Sequence, residues 1–203
     1  KLSGGAPLGA DQDEVLLDIA QVITLSPGAD VVVYSIPFAL GSYQAMFNRM
    51  LTDGMTVVSN SWSYCEDQTS AADLTSMDSV LASLAASGIT VLNASGDTGS
   101  TCLSGAPNTI GVPAGSPHAT AVGGSSYTWG PAPLYTGTER WWNGAASNPP
   151  TGQGGFGVSR HYARPAFQSG FTASSFRSIP DVVAAADPVT NGKPICQASK
   201  GGC

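Results

Sequence analysis

Basic residues are scarce in this chain of 203 residues: eight Lys and Arg face 14 Asp and Glu, and the net charge is −6. No basic patch is evident, which argues against nucleic acid or an anionic membrane as partner. Histidine is scarcer still, and the two present, His118 and His161, lie far apart in sequence. None of the four cysteines forms a C-x-x-C pair, so a structural zinc site is not expected and no metal ligands are assigned. Long apolar runs are absent too. Val31 to Val33 and Ala184 to Ala186 are far short of the roughly 20 residues a membrane helix needs. No signal peptide is visible.

What is present fits one large domain with a substantial core: 42% of residues are hydrophobic, and 25 glycines and 14 prolines supply many turns. Few cations also suit an acidic medium, where carboxylates neutralise and repulsion stays limited. An ordinary acidic soluble protein has the same composition. Four cysteines, Cys65, Cys102, Cys196 and Cys203, suggest two disulfides and an oxidising, extracellular compartment. Three pairings are possible. Local spacing favours Cys196 with Cys203 and Cys65 with Cys102.

Helical and strand patterns alternate. Asp13 to Leu25 reads as a helix with Asp11 or Asp13 near its N-cap, stopped at Pro27-Gly28. The β-branched run Val31 to Ser35 reads as a buried strand. Helices over Tyr43 to Leu51 and Ala72 to Ala86 alternate with strands over Thr56 to Ser61, Ile89 to Asn93 and Thr120 to Val122. Strand–helix–strand order implies an α/β class with a parallel sheet, whose ligands collect at the carboxyl ends of the strands. Ser61-Trp62-Ser63 and Ser95-Gly96-Asp97 then share one edge. Tyr127 to Ala173 reads as a surface excursion with short hairpins, holding Trp129, Trp141, Trp142, Pro149, Pro150 and Pro165. Exposed tryptophans there would suit carbohydrate binding, but in a Gly-rich excursion they more often pack into their own domain.

Two features carry chemistry. Glu14 and Asp18 are four apart, about 400° of helical turn, so both carboxyls share one face of an otherwise apolar helix. Burial and mutual repulsion would raise their pKa values and let them share a proton, as a general acid or base requires. The plain alternative is a solvent-facing acidic stripe near a helix N-terminus. Asp97 follows a strand in Ser95-Gly96-Asp97-Thr98-Gly99, where a protonated Asp could donate to an oxyanion. The plain alternative is a turn-stabilising Asp.

Taken together, these segments resemble the sedolisin (serine-carboxyl peptidase) family. Glu14-x-x-x-Asp18 followed by Ser26-Pro27-Gly28-Ala29-Asp30, Val58 to Ser63, Ser95 to Gly99, Val112 to Pro117, Gly155 to Ser159, Arg164 to Gln168 and Ile179 to Ala184 occur in family order. The resemblance implies a subtilisin-like fold and peptide hydrolysis at acid pH by a Ser-Glu-Asp triad. It makes Glu14 the general base, Asp18 the group that orients it, and Asp97 the oxyanion stabiliser. It has Ser61, Trp62 and Ser63 line the peptide groove, with core packing the plain alternative for Trp62. It also strengthens the Cys65–Cys102 pairing, which would fasten two active-site loops.

The chain departs from the pattern in one decisive place: it contains no Gly-Thr-Ser nucleophile motif. Gly123-Gly124-Ser125-Ser126 mimics it, but matches an earlier family strand, so Ser125 is rejected. Residues 1–203 are therefore expected to be a partial catalytic domain without the family's first strand, inactive alone. A processed piece, an excised segment or a non-catalytic relative would each look so. The expected partners are a peptide or protein substrate and a serine-bearing segment or second chain. The family's calcium loop is expected with that segment and no cofactor in this chain. A peptide-binding or structural module on the same fold is the alternative function.

Overall fold

The structure, a computed structural model, describes residues 12–37, 39–103, 106–128, 137–144, 152–192 and 195. Asp11, Trp129, Pro149, Pro150, Cys196 and Cys203 lie outside these residues, and with them the Cys196–Cys203 pairing.

Helix α1 spans Gln12–Leu25, α2 spans Leu40–Thr52 and α3 spans Ala71–Ala86. The strands are β1 (Val57–Asn60), β2 (Tyr64–Cys65), β3 (Thr90–Ala94), β4 (Gly111–Val112), β5 (Thr120–Tyr127), β6 (Glu139–Trp141), β7 (Gly157–Ala163), β8 (Phe176–Ile179) and β9 (Val182–Ala185). In the main sheet β1, β3, β5 and β9 run parallel, and β6 joins antiparallel to the second half of β5. β5 therefore meets β3 and β6 along one edge and β9 along the other. Two small antiparallel pairs, β2–β4 and β7–β8, stand beside it. This is the expected α/β architecture, flanked by helices, with one antiparallel strand added to the parallel ones of the sheet.

Sequence chemistry explains the helix that matters most to the core. Ser70 caps α3 by accepting from the Asp73 N–H at 3.1 Å, and the chain leaves the helix through Gly88 at φ +76°. Leu74, Met77, Leu81 and Leu84 recur at three- and four-residue steps and form one buried face. That face meets Tyr43 and Phe47 of α2 and Val58 and Val91 of the sheet. Removing one such Leu side chain costs about 2–5 kcal/mol. The cluster makes β1 and β3 a firm platform, and their carboxyl ends carry the candidate site.

Two expectations need correction. Val31 to Ser35 forms no strand; its β-branched residues find no ladder partner among the described residues, and Val31 and Val32 are 38% and 45% exposed. Asp13 lies within the first turn of α1, near the cap as expected. No residue of α1 is fully buried: Leu17, Ile23 and Leu25 are exposed, and the rest of its apolar side is half-buried. Elsewhere β5 runs on to Tyr127, because pairing with β6 extends it beyond the three residues expected. The excursion does hold hairpin structure. Within it Trp142 is buried, and Trp141 donates to the Gly154 carbonyl at 2.8 Å.

Candidate active site

The carboxyl ends of β1 and β3 are tied together first. Asn60, which ends β1, and its register partner Asn93, next to last in β3, are both buried and are hydrogen-bonded through their side chains. Asn60 Nδ2 also donates to the Trp62 carbonyl at 2.6 Å, and the Tyr43 hydroxyl donates to that same carbonyl at 2.6 Å. The Ser61-Trp62 backbone is thereby pinned to the core. The two asparagines were not singled out from sequence. Their signal is an amide at the end of two apolar strands, where only a partner makes burial tolerable.

Asp97 lies in the turn after β3. Gly96 and Gly99 adopt φ of +119° and +66°, conformations side chains resist. Residues 153–156 form a strap over this turn. Gly155 N–H donates to the Gly96 carbonyl at 2.7 Å, Gln153 N–H to the Asp97 carbonyl at 2.8 Å, and Ser95 Oγ to the Gly155 carbonyl at 2.6 Å. The Cys65–Cys102 disulfide joins the end of β2 to the loop just past Asp97, as expected. Buried Glu66 anchors the same region, accepting from Ser159 Oγ at 2.5 Å and the His161 N–H at 2.8 Å.

Helix α1 brings Glu14 and Asp18 to this edge. The Ser61 hydroxyl donates to the Asp18 carboxylate, at 2.9 Å and 3.0 Å from its two oxygens. Burial raises the Glu14 pKa most; the charges of Asp18, Asp97 and Asp13 raise it further, and Ser61 opposes them. Burial also raises Asp18, with Ser61 again opposing, and burial raises Asp97. Asp97 is exposed as a residue, yet enough protein surrounds its carboxyl to desolvate it. The three predicted acids thus converge, and Glu14 feels the charge of Asp97. Glu14 and Asp18 are not a wet outer stripe.

The remaining predicted residues separate by role. Ser61 turns its hydroxyl to Asp18, so any part in a peptide groove falls to its backbone. Trp62 is 37% exposed, which favours a surface over core packing. Ser63 lines a narrow recess beside Asp97, together with Gly96, Ile110, Gly111 and Phe156. Ser125 is 1% exposed inside β5, in keeping with its rejection as nucleophile. A roomier cleft of about 630 Å³, lined by His118, Phe167 and Phe171, includes Thr120 at the amino end of β5. It lines up with none of the three acids. Among the described residues no cluster of three or more His, Cys, Asp or Glu is arranged to hold a metal ion, so no step is assigned to calcium. No helix among them is long and apolar enough to cross a membrane.

No family model matches the chain. Kumamolisin of Bacillus sp. (strain MN-32) is 34% identical over 200 residues, covering 92% of this chain and 35% of kumamolisin. The chain thus spans about a third of that relative's length. A solved structure of Pseudomonas sedolisin (serine-carboxyl proteinase), complexed with two molecules of pseudo-iodotyrostatin, matches with a TM-score of 0.78 at 26% identity. That match covers 96% of this chain and 59% of the other. A lanthipeptide protease shares the fold at a TM-score of 0.51 and 15% identity, over 63% of this chain and 39% of its own.

Proposed function

On its likeness to kumamolisin and sedolisin the chain is assigned to the sedolisin family of serine-carboxyl peptidases, and from that premise we propose that it supplies the acidic half of a peptidase site. The observation that carries the reading is the convergence of three carboxyls with raised pKa values on one sheet edge. Perturbed acids gathered in one place suit proton transfer at acid pH.

Glu14 takes the proton of an attacking serine hydroxyl and returns it to the leaving amine. Asp18 orients Glu14 and strengthens it as a base. Asp97, whose carboxyl is pushed towards its protonated form by desolvation, donates to the oxyanion of the tetrahedral intermediate. Substrate lies along Ser61-Trp62-Ser63 as an added strand. Among the described residues the recess beside Asp97 is lined by no other charged side chain, which suits a small uncharged substrate residue.

This sequence contains no Gly-Thr-Ser run, so the nucleophile comes from a serine-bearing segment or a second chain, and this chain alone is inactive. Any calcium belongs with that part. The Cys65–Cys102 disulfide suits an oxidising, extracellular setting. The test joins this chain to the serine-bearing part and measures peptide hydrolysis at acidic pH, with capture of an acyl-enzyme. Hydrolysis with an acyl-enzyme on that serine supports the reading; hydrolysis by this chain alone contradicts it. The missing motif also favours a second reading, a peptide-binding module. Saturable peptide binding without cleavage in the joined protein would mark it.

A further inference from the structure

Helix α1 carries two of the three acids, yet none of its residues is fully buried. The edge it faces is rigid by contrast: Asn60, Asn93 and the Tyr43 hydroxyl fix the backbone on either side of Ser61. A polar joint crosses between them, from the Ser61 hydroxyl to both oxygens of Asp18 at 2.9 Å and 3.0 Å. A hydroxyl at that distance stabilises the ionised carboxyl over the neutral one. An ionised Asp18 four residues from Glu14 in turn makes Glu14 hold a proton more tightly.

We propose that Ser61 is a positioning residue for the acid pair: it ties the acid-bearing helix to the sheet edge and favours the ionised form of Asp18. The proposal rests on the peptidase reading for its purpose, but its geometry stands alone. The charged groups acting on Glu14 are Asp18 and Asp13 from α1 and Asp97 from the turn after β3. The charge arrangement around the pair is therefore acidic, and the neutral hydroxyl is the donor that counters it. No residue near the site was assigned this part from sequence, where Ser61 was read as a groove residue.

The experiment is a carboxyl ¹³C NMR titration of the 203-residue chain, comparing Ser61→Thr with Ser61→Val. The two replacements share one shape, so packing changes cancel and the hydroxyl alone differs. The expected result is a native Asp18 midpoint in Ser61→Thr, an Asp18 midpoint moved to higher pH in Ser61→Val, and an Asp97 midpoint equal in both. An Asp18 midpoint that is the same in both variants overturns the proposal. So does an equal movement of Asp97, which would signal general loosening. In the protein joined to its serine-bearing part, Ser61→Val lowers kcat about tenfold with KM unchanged, the loss expected from one hydrogen bond to a charged group. Absent hydrolysis with a moved Asp18 midpoint sinks the peptidase reading and leaves the role of Ser61 standing. Hydrolysis with an unmoved midpoint does the reverse.

Discussion

Replacing Gly155 by alanine tests how Asp97 is held. A methyl group on Gly155 would come within 2.4 Å of the Ser95 carbonyl oxygen, 2.6 Å of its carbon and 2.8 Å of Gly96 Cα. All three are backbone atoms, so no rotamer change relieves the contact. Ordinary contact begins at 3.4 Å, and the strap must therefore lift from the turn by about 1 Å. That movement strains the Gly155–Gly96 and Ser95–Gly155 hydrogen bonds, now 2.7 Å and 2.6 Å long. Overpacking of this kind costs about 1–3 kcal/mol. Asp97 sits one residue beyond Gly96, and an ångström of misplacement at a reacting centre costs about 100-fold in rate. The assay is kcat/KM for a peptide at acidic pH in the joined protein, alongside a urea midpoint. Gly28→Ala is the control, since a methyl there meets nothing within 4 Å. If Gly155→Ala keeps activity within about twofold of the parent at unchanged stability, the strap does not position Asp97 and the reasoning fails.

Two further predictions concern stability. Glu14, Asp18 and Asp97 have folded pKa values above the ordinary 4.5 for glutamate and 3.8 for aspartate. The folded state therefore binds protons more tightly than the unfolded one. Their contribution is fully present below those ordinary values and is lost as pH rises through the raised ones. The triple variant Glu14→Gln, Asp18→Asn, Asp97→Asn should flatten that part of the urea-midpoint profile; an unchanged slope would deny the shifts. Opposing slopes from Asp53 and Asp187, whose values are lowered, remain in both proteins and cancel in the comparison. The Cys65–Cys102 bond closes a loop of sequence separation 37, worth about 4 kcal/mol on chain-entropy grounds. Paired Cys→Ser replacement should lower the unfolding free energy by that order, and no change would show that the bond leaves the unfolded chain unconstrained.

Local chemistry made much of this legible beforehand. The Ser-cap and apolar spacing of α3, the i, i+4 relation of Glu14 and Asp18, and the Gly-Asp turn after β3 are each written within a few residues. What escaped is long-range. Val31 to Ser35 has strand-forming residues, but a strand needs a neighbour and local sequence does not name one. Gly155 over Ser95, Glu66 under Ser159 and Ser61 against Asp18 are contacts between segments 43 to 93 residues apart. Nothing in a run of Gly and Ser announces which backbone it will touch. The part proposed for Ser61 went unseen for the same reason: its neighbours in sequence suggest a groove, and the neighbour of its hydroxyl in space is a carboxylate.

The most direct measurement is peptide hydrolysis at acidic pH by the joined protein carrying Glu14→Gln, a change that keeps size and removes the proton acceptor. The account predicts that kcat falls by about 1,000-fold, within the range for loss of a general base. Hydrolysis within a few-fold of the parent would contradict it, and Glu14 would then be a structural acid rather than the base of this site.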